Sequence, residues 1–502
     1  MAEQKRSWTT GMFSTEDWWA FWIGTFFVIL GLIAAALHNP YLTGWVIKFS
    51  NWVDPVTSKA VLGFHATNKV DGQYVLSPIA SLIVSYIVFT AVTTVGAWAM
   101  KWNIKDYLKA WTIIFILTVL AYAIGQNAYI SAPPTKWEKL GIDWGLQLGG
   151  AYYIIALAIG LAIGNLAPKG FKELILKGAR PEWFIKIAIV CLGSKLGLKA
   201  IQAMGFAAHL IIAGICATIA AYLLYWPIAY YITRRYFGFS REWAACLASG
   251  ISICGVSAAI ATAGAIRARP IVPVLLSSVI VTVAAIQLIT YPPILAQTML
   301  HEPIVAGSAL GLVIKTDGAD AAAGAILDEL MRAKAAQMGI YWEEGWISLS
   351  AIMTKIWIDM FIGFWAFVLA VVWLKYFEGR AGEKVDKMEI WFRFPKFVLG
   401  YFFAMFVVLG LGLSGLFGDD PSHAYKTLKL GIYPIEGALR KFFFMLTFVS
   451  IGIVTDFREL RKEGFGRLFV AYALILFLII TPLGLLIAWL FHHGMMPPTV
   501  SP

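Results

Sequence analysis

Lys315, Asp317 and Asp320 stand in the middle of Val305–Leu327, a mostly apolar stretch long enough to cross a bilayer. A charge at the bilayer centre costs at least about 2.5–3.5 kcal/mol on insertion scales, so such residues are rare and usually tied to a pathway or a site. A second membrane-length run, Trp243–Ile266, is broken differently: two glycines and three serines interrupt it between Ser249 and Ser257. Non-helical backbone survives at that depth only where protein or a watery cavity surrounds it. Two interrupted segments in related positions are the best pointer in a sequence to a transporter's binding site. The stretches also lie over each other, Gly250, Ile253 and Ser257 on Gly311, Ile314 and Gly318. Small-residue helices resemble one another by chance, so the charges carry more weight than the match.

The remainder of the chain sets the solvent. Of 502 residues, 60% are hydrophobic and 14% charged, against about 25% charged in soluble domains. The mean hydropathy is +0.74. About 13 apolar runs are long enough to cross about 30 Å of hydrocarbon. They centre near residues 27, 88, 120, 155, 192, 220, 255, 284, 316, 362, 406, 445 and 479. The run near 192 carries Lys186, Lys195 and Lys199 toward its ends, where lysines can snorkel, and reads as a helix at the membrane edge. The net charge of +11 is sorted by loop rather than clustered. Alternate loops hold Lys101/Lys105/Lys109, Lys169/Lys172/Lys177/Arg180, Arg234/Arg235/Arg241, Arg380/Lys384/Lys387/Arg393/Lys396 and Arg458/Arg461/Lys462, with one bare loop near 301 breaking the series. That asymmetry predicts a cytoplasmic N-terminus, an external C-terminus and a multi-pass protein of the bacterial inner (plasma) membrane. It is not the basic stripe with interleaved aromatics of a nucleic-acid binder.

Three regions are expected: a membrane extension over 1–145 with an external loop at His38–Gln73, a core over 146–491, and a short external tail over 492–502. Asp328–Gly345 reads as a solvated surface helix and Glu378–Lys396 as a hinge. Lys355 and Asp359, spaced i, i+4, share a helix face and can pair. They form either a structural ion pair or part of the cavity lined by the interrupted segments. Cys191, Cys216, Cys246 and Cys254 show no metal or disulfide spacing. No P-loop and no catalytic constellation is written, so neither an enzyme nor a cofactor or metal is expected.

Half-helices starting at the membrane centre present free N–H groups and a positive dipole end, which suits an anion. The substrate-binding candidates are Ser252, Cys254, Gly255, Ser257, Lys315 and Thr316. The coupling candidates are Asp317, Asp320, Lys355 and Asp359. SGISICGVSAAIAT, Ser249–Thr262, resembles the S-I-C-G-x-S-A signature of the YeiH-type sulfate exporter family. VCLGSKLGLKAI (190–201), the Lys355 region and IGIVTDFREL (451–460) resemble further landmarks in order, over roughly 146–490. Where that family commonly reads S-I-H-D-T-S, this chain has Val313-Ile314-Lys315-Thr316-Asp317-Gly318.

The resemblance implies an all-α polytopic membrane protein with an inverted-repeat transporter core and two crossed discontinuous helices. It implies a secondary transporter, an exporter, of a small inorganic or sulfur-containing anion such as sulfate or sulfite, with H⁺ or Na⁺ as a coupling ion. The alternative is a cation/proton antiporter using Asp317 and Asp320. The expected surroundings are the lipid bilayer, with a homodimer as an option and no nucleic acid.

Overall fold

In hydrocarbon only helices and closed barrels satisfy their own backbone, and in the computed structural model the apolar runs are helical. The structure describes residues 8–57, 59–132, 136–146, 151–202, 204–266, 268–269, 271–360, 362–377, 391, 395–418, 420–456, 458 and 465–500. Most of the expected hinge lies outside the described residues, as do Phe457, Glu459 and Leu460.

In chain order the helices begin with α1 (Glu16–Ala36), α2 (Pro78–Ala99), α3 (Ile104–Gly125), α4 (Ala151–Leu166), α5 (Lys169–Leu176), α6 (Pro181–Gln202) and α7 (Met204–Arg235). The middle of the chain forms α8 (Arg241–Ser252), α9 (Gly255–Ala265), α10 (Ile271–Thr298), α11 (Pro303–Val313), α12 (Asp317–Gln337), α13 (Trp346–Met360) and α14 (Ile362–Tyr376). Then come α15 (Lys396–Leu413), α16 (Pro421–Val454) and α17 (Phe465–His492). Seven of the described helices are long and apolar enough to cross a bilayer, with shorter apolar ones at α4 and α11. The chain is a mostly helical, polytopic membrane protein.

Contacts divide it into two compact units, Gly11–His209 with Lys396–Val454, and Leu210–Pro395 with Thr455–Pro502 and Met1–Thr10. In the first of these, α6 packs on α1, α15 and α16. Gly193 lets the backbone of Tyr401 come close, where a Cβ would collide, the small-residue packing typical of membrane helices. The lysines of α6 do not snorkel to solvent as expected: Lys186, Lys195 and Lys199 are all buried. Lys186 Nζ donates to Asp17 at 2.8 Å, and Lys195 Nζ lies 3.8 Å from Glu436. The partners come from α1 and α16, which no local pattern in α6 reveals. The helix α16 also starts well before the expected Phe442, with a wide π-turn at Pro434–Leu439. Its polar first half (Lys426, Lys429, Glu436) hides it from a hydropathy reading.

The loop after α1 is a small β cap, β1 (Ile47–Phe49) paired antiparallel with β2 (Phe64–Ala66), then β3 (Lys69–Val70) with β4 (Gln73–Tyr74). Lys48 Nζ donates to Tyr433 Oη at 2.9 Å and Asn68 Nδ2 to the Leu430 carbonyl at 3.0 Å, tying the cap to α16.

The other unit departs from the crossed discontinuous helices. The chain leaves α8 at Ile253, Gly255 takes φ +47°, and α9 turns back. Arg269, just past α9, donates from Nε to Glu242 at the start of α8, 2.5 Å away. These segments form a re-entrant hairpin. So do α11 and α12: Gly307 and Gly324, on opposite sides of the second break, both abut Ile347–Ala351 of α13. In one continuous helix, residues 17 apart would be about 25 Å apart. With 12 residues in α8 and 11 in α11, each arm reaches about 16–18 Å, roughly half a bilayer. The sequence could not separate the cases, because a broken span and a hairpin use the same half-length pieces and the same small residues at the break.

The helix α10 positions the pair. Its 28 residues extend about 42 Å, from the mouth of the first hairpin to the mouth of the second. Midway, Ile280 touches Gly255 and Gln287 reaches Val313. The two hairpins enter from opposite ends of α10 and meet near its middle.

Candidate functional site

The tips touch. A side chain at Gly255 would collide with the Lys315 carbonyl, so the first break needs glycine both for its positive φ and for this approach. Ile253 and Ile314, aligned in the sequence, occupy the same place, each the first residue beyond an arm.

Four helix ends converge here, and three have polar partners that suit their dipole. The ammonium of Lys355, on α13, donates to the Ile253 carbonyl at 3.0 Å, at the C-terminal end of α8. The Lys315 ammonium donates to the Leu312 carbonyl at the end of α11, and Gln287 Nε2 donates to Val313 O at 3.1 Å. Cations and donors belong at helix C-termini. Thr316 caps α12, its hydroxyl accepting from Ala319 N at 3.3 Å. The fourth end, the start of α9, has no side-chain cap. At the same tip, the buried Ser252 hydroxyl has no hydrogen-bond partner among the described residues.

The remaining candidates gather around these ends. Cys254 and Asp320 are buried, and both lie within electrostatic reach of Lys315, as do Lys355 and Asp359. Lys355 Nζ is 3.8 Å from Asp359. Asp317 opens α12 and Ser257 lies in the first turn of α9; their side chains lie outside the described residues. Ser252, Cys254, Gly255, Lys315, Thr316, Asp320, Lys355 and Asp359 are thus brought together. Lys355 has an ion-pair partner on its own helix and a bond into the first tip.

The sequence reading overlooked one face of α7. Thr218 and Tyr222 donate to the Thr354 and Ile358 carbonyls of α13, at 3.3 and 2.8 Å. The Tyr225 ring lies under the Lys315 ammonium, 4.9 Å from ring centroid to Nζ, a cation–π arrangement. Polar and aromatic residues at 218, 222 and 225, spaced i+4 and i+3 in an apolar span, were the available signal. Asp328 was also misjudged as solvated. It is buried and accepts from the amides of Gly345, Ile347 and Ser348, capping α13, while pairing with Arg332 Nε at 2.7 Å.

Residues 143–471 match the family model described as Conserved hypothetical protein 698. A UPF0324 membrane protein of Nitrosomonas europaea is 49% identical over 497 residues, covering 98% of this chain and 99% of its own length. Another, from Rhodopirellula baltica, is 25% identical over 509 residues, covering 90% and 85%. An uncharacterized protein of Archaeoglobus fulgidus is 46% identical over 164 residues, 30% of this chain and 87% of its own. No solved structure matches. The chain belongs to the UPF0324 family of membrane proteins, the family described as Conserved hypothetical protein 698.

Proposed function

We propose that the chain is a secondary transporter of a small inorganic or sulfur-containing anion, exporting it from the cytoplasm, with the site at the hairpin tips. The observation that carries this reading lies at the first tip, where the start of α9 has no side-chain cap and the buried Ser252 hydroxyl has no hydrogen-bond partner among the described residues. A helix N-terminus attracts anions through its free N–H groups and its dipole. Lys315 and Lys355, bound to carbonyls in the structure, are the nearby cations an anion would draw on. The resemblance of Ser249–Thr262 to the sulfate exporter signature supports the same class. Asp320, buried in the first turn of α12, is the candidate for proton coupling.

The topology supports a cytoplasmic N-terminus. When both broken segments are hairpins, the loop with Arg269 joins the basic set and the bare loop near 301 joins the other. The exception in the charge alternation disappears.

In proteoliposomes, labelled sulfate, sulfite or thiosulfate is expected to exchange across the membrane, and Lys315→Met is expected to abolish that flux while leaving insertion intact. Na⁺ or K⁺ flux matched by proton counterflow, with no anion flux, would favour a cation/proton antiporter using Asp317 and Asp320. Wild-type anion flux in Lys315→Met would remove the lysine from the mechanism.

A further inference from the structure

The tip residues are almost wholly buried, so any solute can reach them only if a hairpin moves, and the second hairpin is the one held from outside. Its two feet are Glu302, which precedes α11, and Tyr341–Glu343, which follow α12. The same short tail grips both. Glu302 Oε1 pairs with His493 Nδ1 at 2.5 Å and Oε2 accepts from Gly494 N at 3.2 Å. A few residues on, Glu343 N donates to Pro498 O at 2.7 Å, Val500 N donates to Tyr341 O at 2.8 Å, and Trp342 bridges Thr499 as a strand pair. The tail is anchored at its root, where the His493 ring lies 4.7 Å from that of Trp489. Above it, α17 packs along α11 up to the tip, where Gly484 sits against Leu312, Val313 and the Tyr225 hydroxyl.

We propose that α17 and the tail His493–Val500 form a strap that holds the second hairpin shut and sets how readily its tip parts from the first. Two arms linked through the chain only at their tip, and otherwise packed side by side on α13, can slide or splay at their feet. A backbone-paired tail across both feet, continuous with a helix along one arm, opposes that movement. Opening then requires the tail to release Glu302, Tyr341 and Glu343 or to move with them. Segments that move in gating come from the less stable parts of a structure, and a few exposed hydrogen bonds and one carboxylate–imidazole contact are a tie of suitable strength. This inference rests on the hairpins being gates, as the proposed transport requires, but not on the identity of the solute.

The test uses a thiol already at the tip. Cys254 is buried, as are Cys191 in α6 and Cys246 in α8, which serve as internal controls. The full chain in lipid nanodiscs is treated with N-ethylmaleimide, and the rate at each cysteine is followed by peptide mass spectrometry. A chain truncated after His492 is expected to react at Cys254 about tenfold faster, the order expected for loss of a charge-assisted tie, with Cys191 and Cys246 unchanged. Glu302→Gln, which removes the carboxylate and spares the backbone pairing, is expected to give a smaller rise at the same cysteine. Exchange of the Glu343 amide confirms that the tail has let go. Parental reactivity at Cys254 with that amide released overturns the strap. If the truncated chain does not insert, Glu302→Gln decides alone, with parental reactivity counting against the proposal. No substrate enters the measurement, so failure here is distinct from an error about the anion.

Discussion

Lys355 shows how one residue can tie a hairpin tip to the helix behind it. Its ammonium holds the Ile253 carbonyl and faces Asp359 on its own helix, with side-chain exposures of only 3% and 2%. Lys355→Met leaves Asp359 in a dry site without its cation, so thermal unfolding in detergent is expected to show a loss of about 3–5 kcal/mol. Lys355→Met with Asp359→Leu is expected to recover most of it; equal stability of the single variant and the parent would make the pair irrelevant to folding. Gly255 offers a contrast. Gly255→Ala forces a positive φ on alanine and meets the Lys315 carbonyl and Ile280, so lower yield and a separated tip are expected. Gly466→Ala, at a helical glycine with nothing near, is expected to be neutral or to stabilise by about 0.5–1 kcal/mol, measured in the same unfolding assay. A lysine in an apolar run or a glycine at a break stands out by chemistry alone, and the interrupted segments that carry these residues do meet in the fold. Tyr225 and Gln287 did not stand out, because an isolated tyrosine or glutamine in a span becomes informative only once its neighbours across the fold are known.

Elements were legible where one helix crosses alone and illegible where two share polar groups. Hydropathy located the helical runs, but it missed the first half of α16 and took the lysines of α6 as solvent-seeking, since ion-pair partners arrive from distant segments. Asp328 was misread for the same reason. Asp328→Ala strands three amide donors and Arg332, and a loss of about 3 kcal/mol is expected from one or two buried donors left unpaired; hydrogen exchange at Gly345, Ile347 and Ser348 measures it. The β cap carries a pH dependence. The Ala66 carbonyl can only accept, so His65 donates from Nδ1 at 2.7 Å, and Nε2 accepts from the Ser50 hydroxyl at 2.8 Å. Burial, with help from Lys48 and Lys69 and against the bond to Ala66, lowers its pKa from 6.5 to about 4. The unfolded cap therefore takes up a proton that the folded cap refuses. Its stability is complete above about pH 6.5 and falls as the pH drops toward 4, by about 3 kcal/mol at most. Amide exchange of β1 and β2 is expected to quicken across that window, and His65→Gln to flatten the dependence.

At the scale of the molecule, the hairpins reverse one expectation about sidedness. Were α8–α9 a crossing helix, the loop at Arg269 would face away from Gly238; as a hairpin it shares that side, and His301 faces the other. Single cysteines placed at Gly238 and Arg269 are expected to label from the same side of an intact cell, and labelling from opposite sides would restore the crossing. The strap also has a consequence for the order in which the protein is made. Glu302 and Gly494 are 192 residues apart in the chain. At about 5–20 residues per second, synthesis separates them by about 10–40 s. For that interval the second hairpin, with Lys315 and Asp320 near its tip, has no α17 along its arm and no tail across its feet. The nascent chain must keep those charges sheltered by α7, α10 and α13, or hold the hairpin outside the hydrocarbon until its wall arrives.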